Sequence, residues 1–412
     1  MSGNDIIVSL DIGTSKVRAI IGEVTGGSIN IVGVGSADSE GIRKGAIVDI
    51  DQTVQSIKSA VDHSERMVGV SISEVFVGIA GNHIQLQSSH GVVAVSNEDR
   101  EIGGEDIDRV LQAAKVIALP PEREIIGIVP KQYIVDGLEG IQDPRGMIGV
   151  RLEVEAIVIT GAKTAIHNLI RCVEKAELKV AGLILMPMAA GHLALSKDEK
   201  NLGSVLVDIG AGATTISIFE NGTIVATSTL PIGGDYVSND ITIGLRTQLD
   251  IAEKIKLKYG CASVADADPA TTFKVTRIGS NVEKEFSQAD LASIVEPRMQ
   301  EIFELIKAEV KRMKPSGELA GGYVLTGGAV AMPGVLAVAQ SVLDTSVRIS
   351  SPDFIGVREP AFASGVGLIA YVAKYLRSRS TVSVKSSNGR KTATANKPSL
   401  IERLKNLFSE FI

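Results

Sequence analysis

The chain has 412 residues, is 44% hydrophobic and carries a formal net charge of −6. That length is too great for one compact core and implies two or more domains. The mild acidity excludes a general nucleic-acid binder, and the absence of Trp with 4% aromatic content excludes a base-stacking surface. Cys172 and Cys261 are far apart and fit no metal-ligand spacing, so buried thiols in a reducing cytoplasm are expected. The five histidines show no paired spacing. The N-terminus runs straight into a strand, without the basic region and apolar core of a secretory signal.

Strand-period and helix-period segments alternate throughout, which predicts an α/β fold. Residues 6–16 read IIVSLDIGTSK and lead into an apolar run at 17–21. This predicts a β-hairpin whose turn is built from small residues. A basic, Gly-containing turn follows at 39–50, SEGIRKGAIVDI. Residues 84–161 hold strand-like runs at 92–95, 124–129, 133–135 and 155–160, and a helix near 104–116. With no phosphate motif, that stretch is expected to contact proteins. Residues 205–215, VLVDIGAGATT, repeat the first hairpin and lead into an apolar run at 216–219. Two copies half a chain apart predict duplicated halves that face each other across a cleft, with one Asp on each side.

That arrangement has a chemical logic. Gly13 and Gly210 let backbone N–H groups come close to phosphate oxygens. Thr14, Ser15 and Thr214 offer hydroxyls, and Lys16 a positive charge. Asp11 and Asp208 are hard oxygen ligands suited to Mg²⁺, reached through water. One Asp-Ile-Gly turn alone would equally be an ordinary hairpin. A third motif, YVLTGGAVAMP at 323–333, ends a buried strand in Gly327-Gly328, where a flat ring or a phosphate can lie against backbone. Residues 319–343 carry no charge, but their Gly and Pro residues break them into strand, turn and helix, which predicts core rather than a membrane span.

The C-terminus differs in character. From 377 to 398 there are six Lys or Arg and no Asp or Glu, in a Ser/Asn/Thr-rich stretch that reads as a flexible tether. Beyond it, Ser399 can cap a helix. Leu400, Leu404, Leu407, Phe408 and Phe411 then fall on one stripe flanked by Ile401 and Ile412, with charged residues opposite. Fourteen residues cannot span a bilayer, so such a helix would lie in the membrane interface beside anionic lipids. It could also dock on protein.

Five segments, 6–16, 205–215, 230–241, 323–333 and 363–371, resemble in order those of the actin, Hsp70 and sugar-kinase superfamily. Residues 39–50, AEKIKLKYG at 252–260 and the terminal tether and helix resemble the FtsA branch of bacterial cell-division proteins. The resemblance implies an actin-like fold with two RNase H-like halves around a nucleotide cleft. It implies ATP with Mg²⁺ as ligands, held by the two Asp-Gly turns, with Gly212 in the second. Gly233, Gly234 and Asp235 would face the cleft, and Gly327, Gly328 and Met332 would hold the adenosine. Glu253 and Lys256 would contact ribose and base, although they also read as a surface ion pair.

The implied division is 1–83, 162–200 and 361–377 for the first half, with an inserted interaction domain, 1C, at 84–161. The second half takes 201–249 and 316–360, with subdomain 2B at 250–315. A linker at 378–398 and the membrane helix at 399–412 complete it. The implied partners are further copies of the chain, anionic lipids, other divisome proteins and the FtsZ C-terminal peptide, the last near Arg298 and Ile302. The location would be the cytoplasmic face of the membrane at the division site. One departure bears on catalysis. Related filament-formers carry a Glu before a Pro-Met-Ala-Ala segment, and here Met186 stands there. A thioether cannot take a proton from water, so ATP is expected to be hydrolysed slowly or not at all. A pilus-assembly relative and a sugar or acetate kinase are the competing readings.

Overall fold

The computed structural model describes residues 5–279 and 283–383, with side chains as far as Lys374. The first hairpin is β1 (Asp5–Ile12) and β2 (Lys16–Thr25), extended by β3 (Ser28–Asp38). A small hairpin of β4 (Ile42–Arg43) and β5 (Ala46–Ile47) precedes α1 (Ile50–Val68). Asp49 caps α1 by accepting from Gln52 N at 3.0 Å, and left-handed Gly69 ends it. Strand β6 (Glu74–Ile79) then lies parallel to β1.

The inserted segment follows as β7 (Gln85–Ala94), α2 (Gly104–Ala114), β8 (Arg123–Val135), β9 (Leu138–Ile141) and β10 (Arg151–Ala162). They form a separate four-stranded sheet in the order β7-β10-β8-β9. Its core of Ile102, Val110, Leu152 and Val154 is its own. The runs at 124–129 and 133–135 are one strand. Pro130, which has no N–H for a ladder bond, is accommodated at a register shift opposite Ala156.

The chain returns through α3 (Lys163–Lys175), β11 (Lys179–Leu185) and α4 (Met186–Ala194), then crosses over by α5 (Lys197–Leu202). The second half is β12 (Ser204–Ile209), β13 (Thr214–Glu220), β14 (Thr223–Leu230), α6 (Gly234–Leu245) and α7 (Leu249–Tyr259). Next come β15 (Thr272–Thr276), β16 (Glu283–Ser287), α8 (Gln288–Met313), β17 (Tyr323–Thr326), α9 (Val335–Leu343) and β18 (Val347–Ile349). Helix α10 (Ala363–Ser383) packs back on the first half, against α4 and β1.

The duplication is wider than the hairpins alone. The first sheet runs β3-β2-β1-β6-β11 and the second β14-β13-β12-β17-β18, each an antiparallel meander followed by two parallel strands. In a sheet of this kind, ligands sit beyond the carboxyl ends of the parallel strands. Both sheets aim those ends at the same gap.

The uncharged stretch at 319–343 is β17, a 3-10 turn at Gly328–Ala331 and α9, broken at left-handed Gly322, Gly327 and Gly334. Among the described residues no helix is long and apolar enough to cross a membrane. Helix α10 overruns its expected end, reaching six residues into the stretch read as a tether. No Gly or Pro lies between 368 and 383 to stop it.

Candidate nucleotide cleft

Two equivalent turns face each other. In the first, the N–H of Gly13 donates to the Lys16 carbonyl at 3.1 Å. In the second, the N–H of Gly210 donates to the Ala213 carbonyl at 3.0 Å. Each glycine's own N–H therefore closes its turn and is not free for a ligand. The turns meet at their tips, since a methyl added to Gly212 would lie 2.7 Å from Thr14 Cγ2.

Between the halves lies a cavity of about 760 Å³, within the usual range for small-molecule sites. Asp11, Gly13, Thr14, Ser15 and Lys16 line one wall, with Asp208, Gly210 and Gly234 across from them. Glu253, Lys256, Gly327, Gly328 and Met332 line the far end. Four expected residues stand behind the lining. Thr214 is fully buried and gives its hydroxyl to the Ile232 carbonyl at 2.8 Å, and Thr215 faces the cavity in its place. Asp235 donates its N–H to the Ala211 carbonyl at 2.9 Å, which pins the start of α6 to the second turn. Gly233 permits that approach, because a side chain there would strike the Gly210 carbonyl. Gly212 is taken up by the contact with Thr14.

The floor of the cleft holds two carboxylates, Asp11 and Asp208, with the Arg18 guanidinium beside them. Burial pushes the Asp11 carboxyl up to about 6, with Arg18 opposing the shift and Asp208 adding to it. Asp208 is likewise raised by burial, against the Ser364 hydroxyl and Arg18. Among the described residues no group of three or more His, Cys, Asp or Glu could hold a metal. A cation here would need water and phosphate oxygens to complete the two carboxylates' shell, which suits Mg²⁺. Lys16 is paired with exposed Asp38, an interaction of little strength that a phosphate can displace.

At the far end, Lys256 ties α7 to α6. Its ammonium reaches the Gly234 carbonyl at 3.1 Å, Ser238 Oγ at 2.8 Å and the Glu253 carboxylate at 2.7 Å. Gly327 has φ +93°, and a side chain there would meet Asp208 Oδ1 and, at 2.5 Å, the Ile209 carbonyl. The glycine is thus demanded first by the packing of β17 on β12. Met186 is the first residue of α4 and lines the cavity, 8% exposed.

Two cleft residues escaped the sequence reading. Arg18 is the cross-strand partner of Asp11, which the turn at 13–16 would have allowed to be counted off. Ser364 arrives from a distant helix and left no local signal. One expectation fails. Ile302, assigned to a peptide contact, is fully buried in the second half's core and offers no surface. It lies on the same stripe as Val295, Met299, Phe303 and Ile306. Arg298 remains reachable, paired with Asp240 and Glu301. Leu400, Ile401, Leu404, Leu407, Phe408 and Phe411 lie outside the described residues.

Two like sheets that close on one cleft, with an Asp and a Gly turn on each side, define an actin-like fold. Solved structures carry the same architecture. The PilM-PilN type IV pilus biogenesis complex superposes with a TM-score of 0.62 at 17% identity, over 89% of this chain and 98% of that one. MreB5 of Spiroplasma citri bound to ADP does so with a TM-score of 0.55 at 14% identity, over 90% and 98%. The sequence matches the family model "Cell division protein FtsA" over residues 205–367 and "SHS2 domain inserted in FTSA" over 81–160. It is 50% identical to the cell division protein FtsA of Bacillus subtilis over 377 residues, 92% of this chain and 86% of that protein. The chain belongs to the FtsA family of cell-division proteins.

Proposed function

We propose that this chain binds ATP with Mg²⁺ in the cleft, polymerises on the inner face of the cytoplasmic membrane and tethers the FtsZ ring there. The observation that carries the ligand reading is the pair of equivalent Asp-Gly turns across one cavity. Mg²⁺ supplies the positive charge that Asp11 and Asp208 lack. Thr14 and Ser15 offer hydroxyls to the phosphates, and Lys16 leaves Asp38 for them. Lys256, Glu253 and Met332 border the place of the nucleoside. Met186 gives no proton acceptor beside the phosphates, so ATP acts as a structural or switching ligand.

The division of labour follows the expected boundaries. The inserted sheet at 84–161 contacts further copies of the chain and other divisome proteins. The FtsZ peptide docks on subdomain 2B (250–315) beside Arg298. Residues 399–412 hold the membrane by half-burying seven large apolar side chains, on the order of 5–10 kcal/mol before ordering costs. Residues 378–398 link that anchor to the body, whose two halves otherwise take 1–83, 162–200 and 361–377, and 201–249 and 316–360.

Calorimetry with Mg·ATP and vesicle flotation test the two parts separately. Asp208→Ala should abolish the binding heat. Removal of 398–412 should release the protein from anionic vesicles while nucleotide binding persists. The paired change Leu404→Glu with Phe408→Glu should do the same, because it places charge in the apolar stripe. Unchanged affinity in the first variant, or persistent flotation in the others, would contradict the corresponding part.

A further inference from the structure

The hairpin of β4 and β5 is small, with a ladder of two pairs, Ile42↔Ile47 and Arg43↔Ala46. Its base is anchored. Ile42 is buried, and Ile47 packs against the first half's core. Its tip, Lys44-Gly45, is exposed, and both residues have positive φ, at 51° and 76°. A two-pair ladder has little rigidity of its own, so the position of the tip depends on what it touches.

The tip touches both halves. Gly45 donates its N–H to Thr14 Oγ1 of the first phosphate turn at 3.2 Å. A methyl on Gly212 of the second turn would lie 3.2 Å from Lys44 N. The Lys44 ammonium sits 5.9 Å from the centroid of the Tyr236 ring on α6. On the same ring, 5.7 Å from its centroid, sits the Arg298 guanidinium of α8. Arg298 is fixed from the other side by Asp240, one turn along α6 from Tyr236, at 2.5 Å. Tyr236 is therefore a ring shared by a cation from the first half and a cation from the partner-facing helix. The first turn of α6 is itself pinned to the second phosphate turn through Gly234 and Asp235.

We propose that the β4–β5 hairpin is a strap that senses the contents of the phosphate turns and passes its position, through Tyr236, to Arg298 on α8. This rests on the nucleotide reading of the cleft. A phosphate against the first turn gives the Thr14 hydroxyl a new acceptor and draws the nearby ammonium by Coulomb attraction. The tip follows, the cation–π contact on Tyr236 changes, and Arg298 settles differently between Tyr236 and Asp240. Two ligands, a nucleotide and a peptide docked at Arg298, then bias one element, which couples their affinities.

The chain contains no Trp, so Tyr236→Trp places a lone fluorophore at the shared ring. Lys44→Asn removes the ammonium and keeps a residue suited to the left-handed turn. Mg·ATP, Mg·ADP and inorganic phosphate are titrated into Tyr236→Trp alone and with Lys44→Asn, and saturation is verified by calorimetry. Hydrogen exchange at 296–302 is followed in the otherwise unaltered chain and in Lys44→Asn. The expected result is an emission shift and an altered exchange rate on saturation with Mg·ATP, both lost with Lys44→Asn. Binding of Mg·ATP with no emission shift, or with a shift of equal size in the Lys44→Asn background, overturns the strap and leaves the cleft reading standing. An absence of binding heat in the unaltered chain overturns the cleft reading and the strap with it.

Discussion

Ser364 donates its hydroxyl to Asp208 across the junction of the two halves, Oγ to Oδ2 at 2.7 Å. Ser364 opens α10, which packs on β1 of the first half, whereas Asp208 ends β12 of the second. The bond is part-buried and has a carboxylate as acceptor. A hydrogen bond to a charged group is worth about 1.5–3 kcal/mol. Ser364→Ala should lower unfolding stability by that order in a urea titration, and Ser364→Thr should recover most of it. Equal stability of all three chains would show that the two halves do not depend on this bond.

The pH dependence follows from Asp11, raised to about 6 by burial, with Arg18 opposing the shift and Asp208 reinforcing it. Ionising a raised carboxyl costs stability. That cost is absent below the ordinary value of 3.8, grows from there and is complete above about 6. A divalent cation needs the ionised form, so Mg·ATP affinity should fall as pH falls through about 6. In Asp11→Asn the affinity should be lower and its slope over the same range shallower, since Asp208, also raised by burial, and the nucleotide's own phosphate still titrate. Calorimetry at pH 5 and pH 8 on both chains distinguishes the slopes.

Gly327 and Gly328 separate packing from ligand contact. A methyl at Gly327 strikes Asp208 and Ile209, and its φ of +93° is one that other residues rarely adopt. A methyl at Gly328 would lie 3.8 Å from Ala361 Cβ, an ordinary contact. Gly327→Ala should destabilise the ligand-free protein by at least about 1–2 kcal/mol and abolish nucleotide binding, as Gly327→Val should too. Gly328→Ala should keep ligand-free stability and weaken only nucleotide affinity. Thermal unfolding without ligand, set beside calorimetry, checks both.

Met186→Glu would place a carboxylate at the first position of α4, where the helix N-terminus favours negative charge, on the wall of the cleft. Single-turnover ATP hydrolysis should rise by about a hundredfold, the low end of what a positioned general base supplies. Nucleotide affinity should hold. A flat rate in a folded variant would show that position 186 does not reach the attacking water.

Much of this architecture is legible in the sequence. The two hairpins, the glycine turns and both cleft aspartates were legible because a turn is a local object, written in adjacent residues. The repeat extends further than the motifs show, since the parallel strands β6, β11 and β18 carry no motif of their own. Thr214 was placed on the wrong face because alternation along β13 depends on where the turn stops, and one residue of error exchanges Thr214 for Thr215. Ile302 failed for the opposite reason. Its helical stripe was present in the sequence, and a surface role was carried over despite it. Ser364 and the Lys44–Tyr236–Arg298 group join elements far apart in the chain, and no local pattern encodes such contacts.

The described chain passes between the halves twice, and each passage is bolted. At α5, Glu199 and the Ala194 carbonyl are both held by Arg348 of β18. Near residue 360, the Pro360 carbonyl accepts from Thr326 Oγ1 at 3.0 Å and Gly327 N at 3.3 Å. A body fixed to its neighbour at two points keeps a single easy motion, rotation about the line that joins them. The two halves therefore behave as a door on two hinges rather than as beads on a string, and whatever fills the gap sets one angle.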